Sequence, residues 1–360
     1  MNTEFKDFQL GEVRIGLPIV QGGMGVRVST ASLASAVSNE GALGVIAAVA
    51  LGEEGEEQEQ DYRVRSRTSL TQSIRQTRER TGNPFGVNIM CALTNYDDLV
   101  DAAQDEGVDV IISGAGLPLK LPAMIKNAKT KLVPIVSSAR AANIICTMWQ
   151  RKYNRLPDAV VVEGPLAGGH LGYSREELAD KENFSLDNIL QKVLSVIHGF
   201  ETQVKKIPVI AAGGIFDGKD IARVIKLGAS AVQMATRFVC TEECDVSEQY
   251  KQAYLTVKEE DIVIIQSPVG LPGRVIRNDF VQRITQGERI DFGCKYQCLS
   301  TCDPKKVNYC IAKALINAAR GLMDKGFAMC GSNAHRIKTI VSVKQLISEL
   351  VNDTRMALGT

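Results

Sequence analysis

A charge surplus of either sign, a long apolar run and a leader-like start are all missing from this 360-residue chain. Lys and Arg total 42 against 41 Asp and Glu, a net charge of +1, so neither a nucleic acid nor a charged membrane surface is an expected partner. No uninterrupted apolar stretch of about 18 to 20 residues occurs, which argues against a spanning helix. The opening MNTEFKDFQLGEVRIG has neither a basic n-region nor an apolar h-region, so the expected location is the cytoplasm. Nine cysteines is an odd number, and Cys91 and Cys146 sit in apolar patterns, which suits reduced thiols better than a disulfide framework.

What the chain does have is one repeated pattern: a short β-branched run, a turn rich in small residues, then an amphipathic helical stretch. The runs are LPIV (17–20), LGVIAA (43–48), FGVNIM (85–90), VDVIISG (108–114), LVPIVSS (132–138), DAVVVEG (158–164), IPVIAAGG (207–214) and SAVQMATRFV (230–239). Most are continuously apolar, as strands covered on both faces require. Such a repeat predicts a (β/α)8 barrel of the TIM type; a doubly wound sheet is the weaker alternative, because no G-x-G-x-x-G follows the first strand. Segment 53–82 is too long and charged for an ordinary loop and is expected to hold an exposed excursion before or within a helix. The repeat stops after strand eight. Residues 240–330 are therefore expected to form a smaller, mainly helical cap or substrate domain over a barrel made of 1–239 and 331–360.

In a barrel the reactive groups sit on the loops that follow the strands. Gly213 and Gly214 end strand seven, and Gln233, Met234, Ala235 and Thr236 end strand eight, where small residues and a following helix N-terminus suit an anion such as a phosphate. Strand one ends in Gly22, Gly23 and Met24, which would let a flat ring approach the backbone, and strand three presents the Asn88 amide. Strand six ends at Glu163 and runs into a turn where Gly168 and Gly169 precede His170. That position makes His170 the candidate catalytic base or acid; His198 and His335 lack such a setting and are expected to be structural. Cys294, Cys298, Cys302 and Cys310 could hold a metal, but their spacing matches no common zinc or iron–sulfur pattern, and no metal is expected. On a helix, the first three would share one face.

The motifs PIVQGGMG, FGVNIM, EGPLAGGHLG, AAGGIFDG and GASAVQMATRF together resemble the nitronate monooxygenase family and its sister branch, the flavin-dependent enoyl-acyl-carrier-protein reductases. The resemblance is close over about 14–240. It implies a TIM barrel with an appended substrate domain, binding flavin mononucleotide (FMN) without a covalent link. It further implies that Gly22, Gly23 and Met24 lie along the ring, that Asn88 and Glu163 bond it, and that Gly168 borders it. Gly213, Gly214, Gln233, Met234, Ala235 and Thr236 would hold the phosphate, and His170 would face the ring from the substrate side. The implied activity is oxidation of alkyl nitronates by O2 to a carbonyl compound and nitrite. Glu163, where the best-known nitronate oxidisers have Gln, leans instead toward NAD(P)H-dependent reduction of an enoyl thioester, with an acyl-carrier protein as partner and Arg274 and Arg277 as its basic contacts. The resemblance leaves room for a homodimer.

Overall fold

The computed structural model describes residues 5–51, 61–127, 129–202, 205–294 and 297–359. All eight apolar runs become strands: β3 (Ile19–Gln21), β4 (Gly44–Ala47), β5 (Phe85–Met90), β6 (Val110–Gly114), β7 (Lys131–Val136), β8 (Val160–Glu163), β10 (Val209–Ala212) and β11 (Ala231–Met234). They pair in parallel in the order β3-β11-β10-β8-β7-β6-β5-β4. A parallel bridge from Val20 to Leu43 brings the two ends together, so the sheet closes into the barrel expected. The eighth run divides: the strand stops at Met234, whose carbonyl accepts from Gly22 N at 2.8 Å, and Thr236–Val239 turns into a short helix, α9.

Strand pleating sorts the side chains into two cores, because successive residues point to opposite faces. Val20, Leu43, Val45, Ile112, Val133, Val161 and Ile210 fill the barrel interior. Their sequence neighbours, such as Val160 and Val162 on β8 and Val87 and Ile89 on β5, pack outward. The outer core is completed by helices α1 (Ala31–Asn39), α2 (Tyr62–Arg80), α3 (Tyr96–Asp105), α4 (Leu121–Met124), α5 (Ala139–Tyr153), α6 (Arg175–Ala179), α7 (Leu186–His198) and α8 (Gly218–Lys226). Helix α13 (Val343–Leu358) packs on α8 and α1. An N-terminal hairpin absent from the sequence reading, β1 (Phe8–Leu10) with β2 (Val13–Ile15), plugs the barrel floor with Phe8, Leu10 and Ile15. The expected excursion at 53–82 resolves at its C-terminal part into α2; residues 52–60 lie outside the described residues.

Segment 240–330 contains helices α10 (Glu248–Thr256), α11 (Asp279–Thr285) and α12 (Ile311–Ala319), and also a hairpin of β12 (Ile262–Gln266) and β13 (Pro272–Ile276). The hairpin receives a third strand from the barrel, β9 (Gly169–His170), which pairs antiparallel with β13. Cys294, Cys298 and Cys302 do not share a helix face, since described residues 297–310 contain no helix. Among the described residues no group of three or more His, Cys, Asp or Glu is arranged to hold a metal ion. No helix among them is long and apolar enough to cross a membrane.

Candidate active site

Pleat parity delivers the polar side chains to the barrel mouth. Glu163 and Gln233 each follow an inward-facing residue by two positions along a strand, and Asn88 lies between the outward-facing Val87 and Ile89, so all three point inward. The register places Ala212 beside both Glu163 and Gln233, which makes these residues one layer of the barrel. Above it lies a cavity of about 440 Å³, of a size suited to a cofactor and a small substrate. It is lined by every residue singled out above: Gly22, Gly23, Met24, Asn88, Glu163, Gly168, His170, Gly213, Gly214, Gln233, Met234, Ala235 and Thr236.

The glycines divide into two kinds. A Cβ on Gly168 would sit 2.6 Å from the backbone of Cys330 and Gly331, and one on Gly23 would sit 2.4 Å from Asn88 Cβ. These positions are bare because the protein itself crosses there. At Gly22 a Cβ would make ordinary contacts from 3.4 Å outward, so packing does not account for that glycine. Met234 packs in the outer core as well as bordering the cavity. One further expectation changes. The N-terminus of α8 is taken: the Asp217 side chain accepts from the N–H groups of Lys219 and Asp220, which leaves the loop at Gly213–Gly214 and the turn into α9 as the places for an anion. Asn333 Nδ2 donates to Gly214 O and Gly331 N to Thr236 Oγ1, so segment 331–333, unremarked in the sequence, braces both loops.

His170 does not stand on a bare turn. Its strand β9 is paired with β13, and its Nε2 lies 2.8 Å from Ser267 Oγ, a buried hydroxyl in the turn between β12 and β13. The Ser267 hydroxyl also accepts from Val269 N at 3.2 Å. Burial holds the imidazole down at about 4, so it is neutral at physiological pH, and the imidazolium role that its unperturbed value allowed is disfavoured. Glu163 moves the other way: burial pushes its carboxyl up to about 7, and among the described residues that carboxyl has no hydrogen-bond partner. Of the two basic contacts expected at the entrance, one is buried and one stays on the surface. Arg274 is buried and donates Nη1 to Ala167 O, while Arg277 is paired with Asp261 at 2.7 Å.

Three features of the protein fit a flavin. Gln233 Oε1 is buried without a partner and calls for an N–H donor such as the imide of the ring; Gly22 keeps the backbone bare beside the Gln233 side chain; and Gly213 and Gly214, at φ of 90° and 84°, form a loop of the kind that presents N–H groups to an anion. A carboxyl at about 7 and an imidazole at about 4, both neutral near pH 6, give the cavity a hydrogen-bond donor and a proton acceptor without net charge.

Comparison with known proteins bears on the family and the fold. The family model described as nitronate monooxygenase matches residues 6–105 and 91–353. A Mycobacterium tuberculosis protein named (3aS,4S,5R,7aS)-5-hydroxy-7a-methyl-1-oxo-octahydro-1H-indene-4-carboxyl-CoA dehydrogenase is 31% identical over 76% of this chain, which spans 66% of that relative's length. A probable nitronate monooxygenase of Staphylococcus aureus is 26% identical over 94% of each chain. FabK from Thermotoga maritima superposes with a TM-score of 0.74 at 31% identity, over 95% of this chain and 94% of its own. Nitroalkane oxidase from Streptomyces ansochromogenes gives a TM-score of 0.73 over 95% and 96% of the two chains; at 23% identity that likeness bears on the fold alone.

Proposed function

Because the chain belongs to the nitronate monooxygenase family of flavin-dependent oxidoreductases, we propose that it oxidises alkyl nitronates with O2 to a carbonyl compound and nitrite, using non-covalently bound FMN. The observation that carries this reading is a neutral, half-buried imidazole at the mouth of a cavity suited to a flavin. The flavin, when bound, supplies the electron acceptor. Everything else is the work of the chain. His170 takes the α-proton of a nitroalkane, and the resulting imidazolium is stabilised by the nitronate that forms beside it. Ser267 fixes the ring through Nε2, Glu163 and Asn88 hold the flavin edge, and the loops at Gly213–Gly214 and Ala235–Thr236 hold its phosphate. Residues 1–239 and 331–360 serve as the flavin barrel and 240–330 as the substrate cap.

Ser267 is a positioning residue in this scheme. Ser267→Ala is expected to lower kcat about tenfold, the worth of one hydrogen bond, with KM little changed, and Ser267→Thr to restore most of it. An unaltered kcat in the alanine variant removes Ser267 from the mechanism.

A second reading is NAD(P)H-dependent reduction of an enoyl thioester on the same flavin; it is kept because one relative is named for a CoA-linked substrate. Of the docking contacts expected for an acyl-carrier protein, Arg274 is buried and Arg277 stays exposed. Anaerobic mixing separates the two readings: bleaching of the flavin by a nitronate but not by NADPH supports the oxygenase, and bleaching by NADPH supports the reductase.

Glu163 gives a pH test on flavin-free protein. Its folded value of about 7 lies above the ordinary 4.5, so its contribution to stability is complete below about 4.5 and is lost as pH rises through 7. His170 acts oppositely: at about 4 against an ordinary 6.5, its contribution is complete above 6.5 and is lost as pH falls through 4. Between 4.5 and 6.5 the two slopes offset each other. In Glu163→Gln only the His170 slope remains, so the variant should gain stability over the wild type as pH rises from 4.5 to 7, by at most about 3 kcal/mol. Urea midpoints at these pH values measure the difference; a constant gap contradicts the buried-carboxyl account.

A further inference from the structure

Between α11 and α12 the chain makes a loop whose two ends are tied together. Ile290 N donates to Asn308 O at 2.7 Å, and Asn308 Nδ2 donates to the carbonyls of Ile284 and Glu288, at and just beyond the end of α11. Inside the loop a tight turn reverses the chain: Asp303 O accepts from Lys306 N at 3.0 Å and Val307 N at 3.2 Å, and the Asp303 carboxylate accepts from Lys305 N at 3.0 Å. Pro304, which has no N–H to leave unpaired, takes the second position of that turn. Cys302 stands directly before the turn and Cys310 directly after the tie, so the turn and the tie return one cysteine toward the other. Their nearness is felt by Cys302: burial first, then the thiols of Cys294 and Cys310, push its thiol above the ordinary value. Neither Cys302 nor Cys310 is in a disulfide.

The two cysteines differ in setting. Cys310 is the N-cap residue of the nine-residue α12, where backbone N–H groups and the helix dipole favour an anionic sulfur. Cys302 packs half-buried against the outer core and holds its proton more tightly. They also stand beside two separate pieces of the cavity wall. Ahead of Cys302, Leu299 bridges to Leu93 and Ser300 N donates to Ala92 O at 2.9 Å, an arrangement in which Cys298 and Leu299 line the cavity. Directly after Cys310, Ile311, Ala312 and Leu315 of α12 line it.

We propose that Cys302 and Cys310 form a peroxide-sensitive pair that closes to a disulfide and ties these two pieces of wall together. The Cys310 thiolate attacks hydrogen peroxide: an S–O bond forms, the O–O bond breaks, and the departing hydroxide takes up the proton that the thiol gave up, leaving water and a sulfenic acid. The Cys302 sulfur then attacks the sulfenic sulfur. The S–S bond forms, the S–O bond breaks, and the Cys302 proton leaves with the hydroxyl as a second water. Two thiols and one peroxide give one disulfide and two waters.

The test is to treat the flavin-loaded protein with hydrogen peroxide, quench with N-ethylmaleimide, digest with trypsin and weigh the peptides. Residues 296–305 and 307–313 should be recovered as one linked pair, lighter by two hydrogens than the two free peptides, and dithiothreitol should release them. Peptide 296–305 also carries Cys298, so the link should survive Cys298→Ser and vanish in Cys302→Ser. In Cys302→Ser, dimedone should label Cys310 as the stranded sulfenic acid. Amide exchange over 297–316 should slow about tenfold in the oxidised wild type and recover with dithiothreitol. A link formed by Cys294 or Cys298 in preference to Cys302, oxidation of Cys310 without a link, or a stoichiometric metal released from the untreated protein when its thiols are blocked overturns the pairing. A Cys302–Cys310 link that leaves exchange unchanged overturns its hold on the cavity wall. The wild-type digest alone decides the pairing even where a serine variant fails to fold.

Discussion

Replacing His170 with Asn should lower turnover of a nitroalkane by about 10²- to 10⁴-fold while the purified protein stays yellow. Asn keeps a polar group within reach of the Ser267 hydroxyl, which lies 2.8 Å from His170 Nε2, but has no basic nitrogen to take a proton. Steady-state O2 consumption measures the loss, and flavin absorbance after gel filtration measures retention of the cofactor. A substrate supplied already as the nitronate should suffer less, since its proton is gone before binding. The wild-type pH profile should agree: a base held near 4 keeps kcat/KM from falling until pH drops toward 4, rather than near 6.5 where an exposed imidazole titrates. Full activity in His170→Asn, or an acid limb near 6.5, would discard the buried-base assignment.

Gly213→Ala should destabilise the protein by about 2 to 4 kcal/mol and strip it of flavin. At φ 90° an L-residue is strained, and the new Cβ would lie 2.7 Å from Gly164 O and 3.0 Å from Gly164 N. Gly164 has little freedom to retreat, because even a Cβ of its own would lie 3.0 Å from Leu186 Cβ. Gly22→Ala is the matched control. With its nearest new contact at 3.4 Å it should keep stability to within about 0.5 kcal/mol, yet bind flavin more weakly, because a methyl then stands on the bare backbone beside Gln233. Thermal melts of flavin-free protein and FMN titrations distinguish the two variants; equal stability losses would remove the distinction between a glycine needed by the chain and one needed by the ligand.

Much of the barrel was legible because two-sided burial writes itself into a sequence as continuous β-branched runs, and VVVE or VIAA cannot easily be read otherwise. Site residues at strand ends were legible for the same reason: once Val161 faces inward, Glu163 must follow. What was missed lies where pairing partners are distant in sequence. IVIIQ and PGRVI are a hairpin whose β-branched pattern was visible, but its third strand comes from Gly169–His170, about a hundred residues earlier, and nothing local announces that union. Ser267 and the brace at 331–333 belong to the same class. Arg274 shows the opposite limit, a charge read as surface that the fold directs inward to a carbonyl.

The union of β9 with β13 also sets a timetable. A ribosome-bound chain that has emerged through Met234 contains all eight barrel strands, including His170, yet lacks Ser267 and the strand that holds the imidazole in register. All the barrel strands are made before His170 has the partners that orient it. On the proposed function, competence for chemistry would therefore arrive late in synthesis, with the hairpin at 262–276.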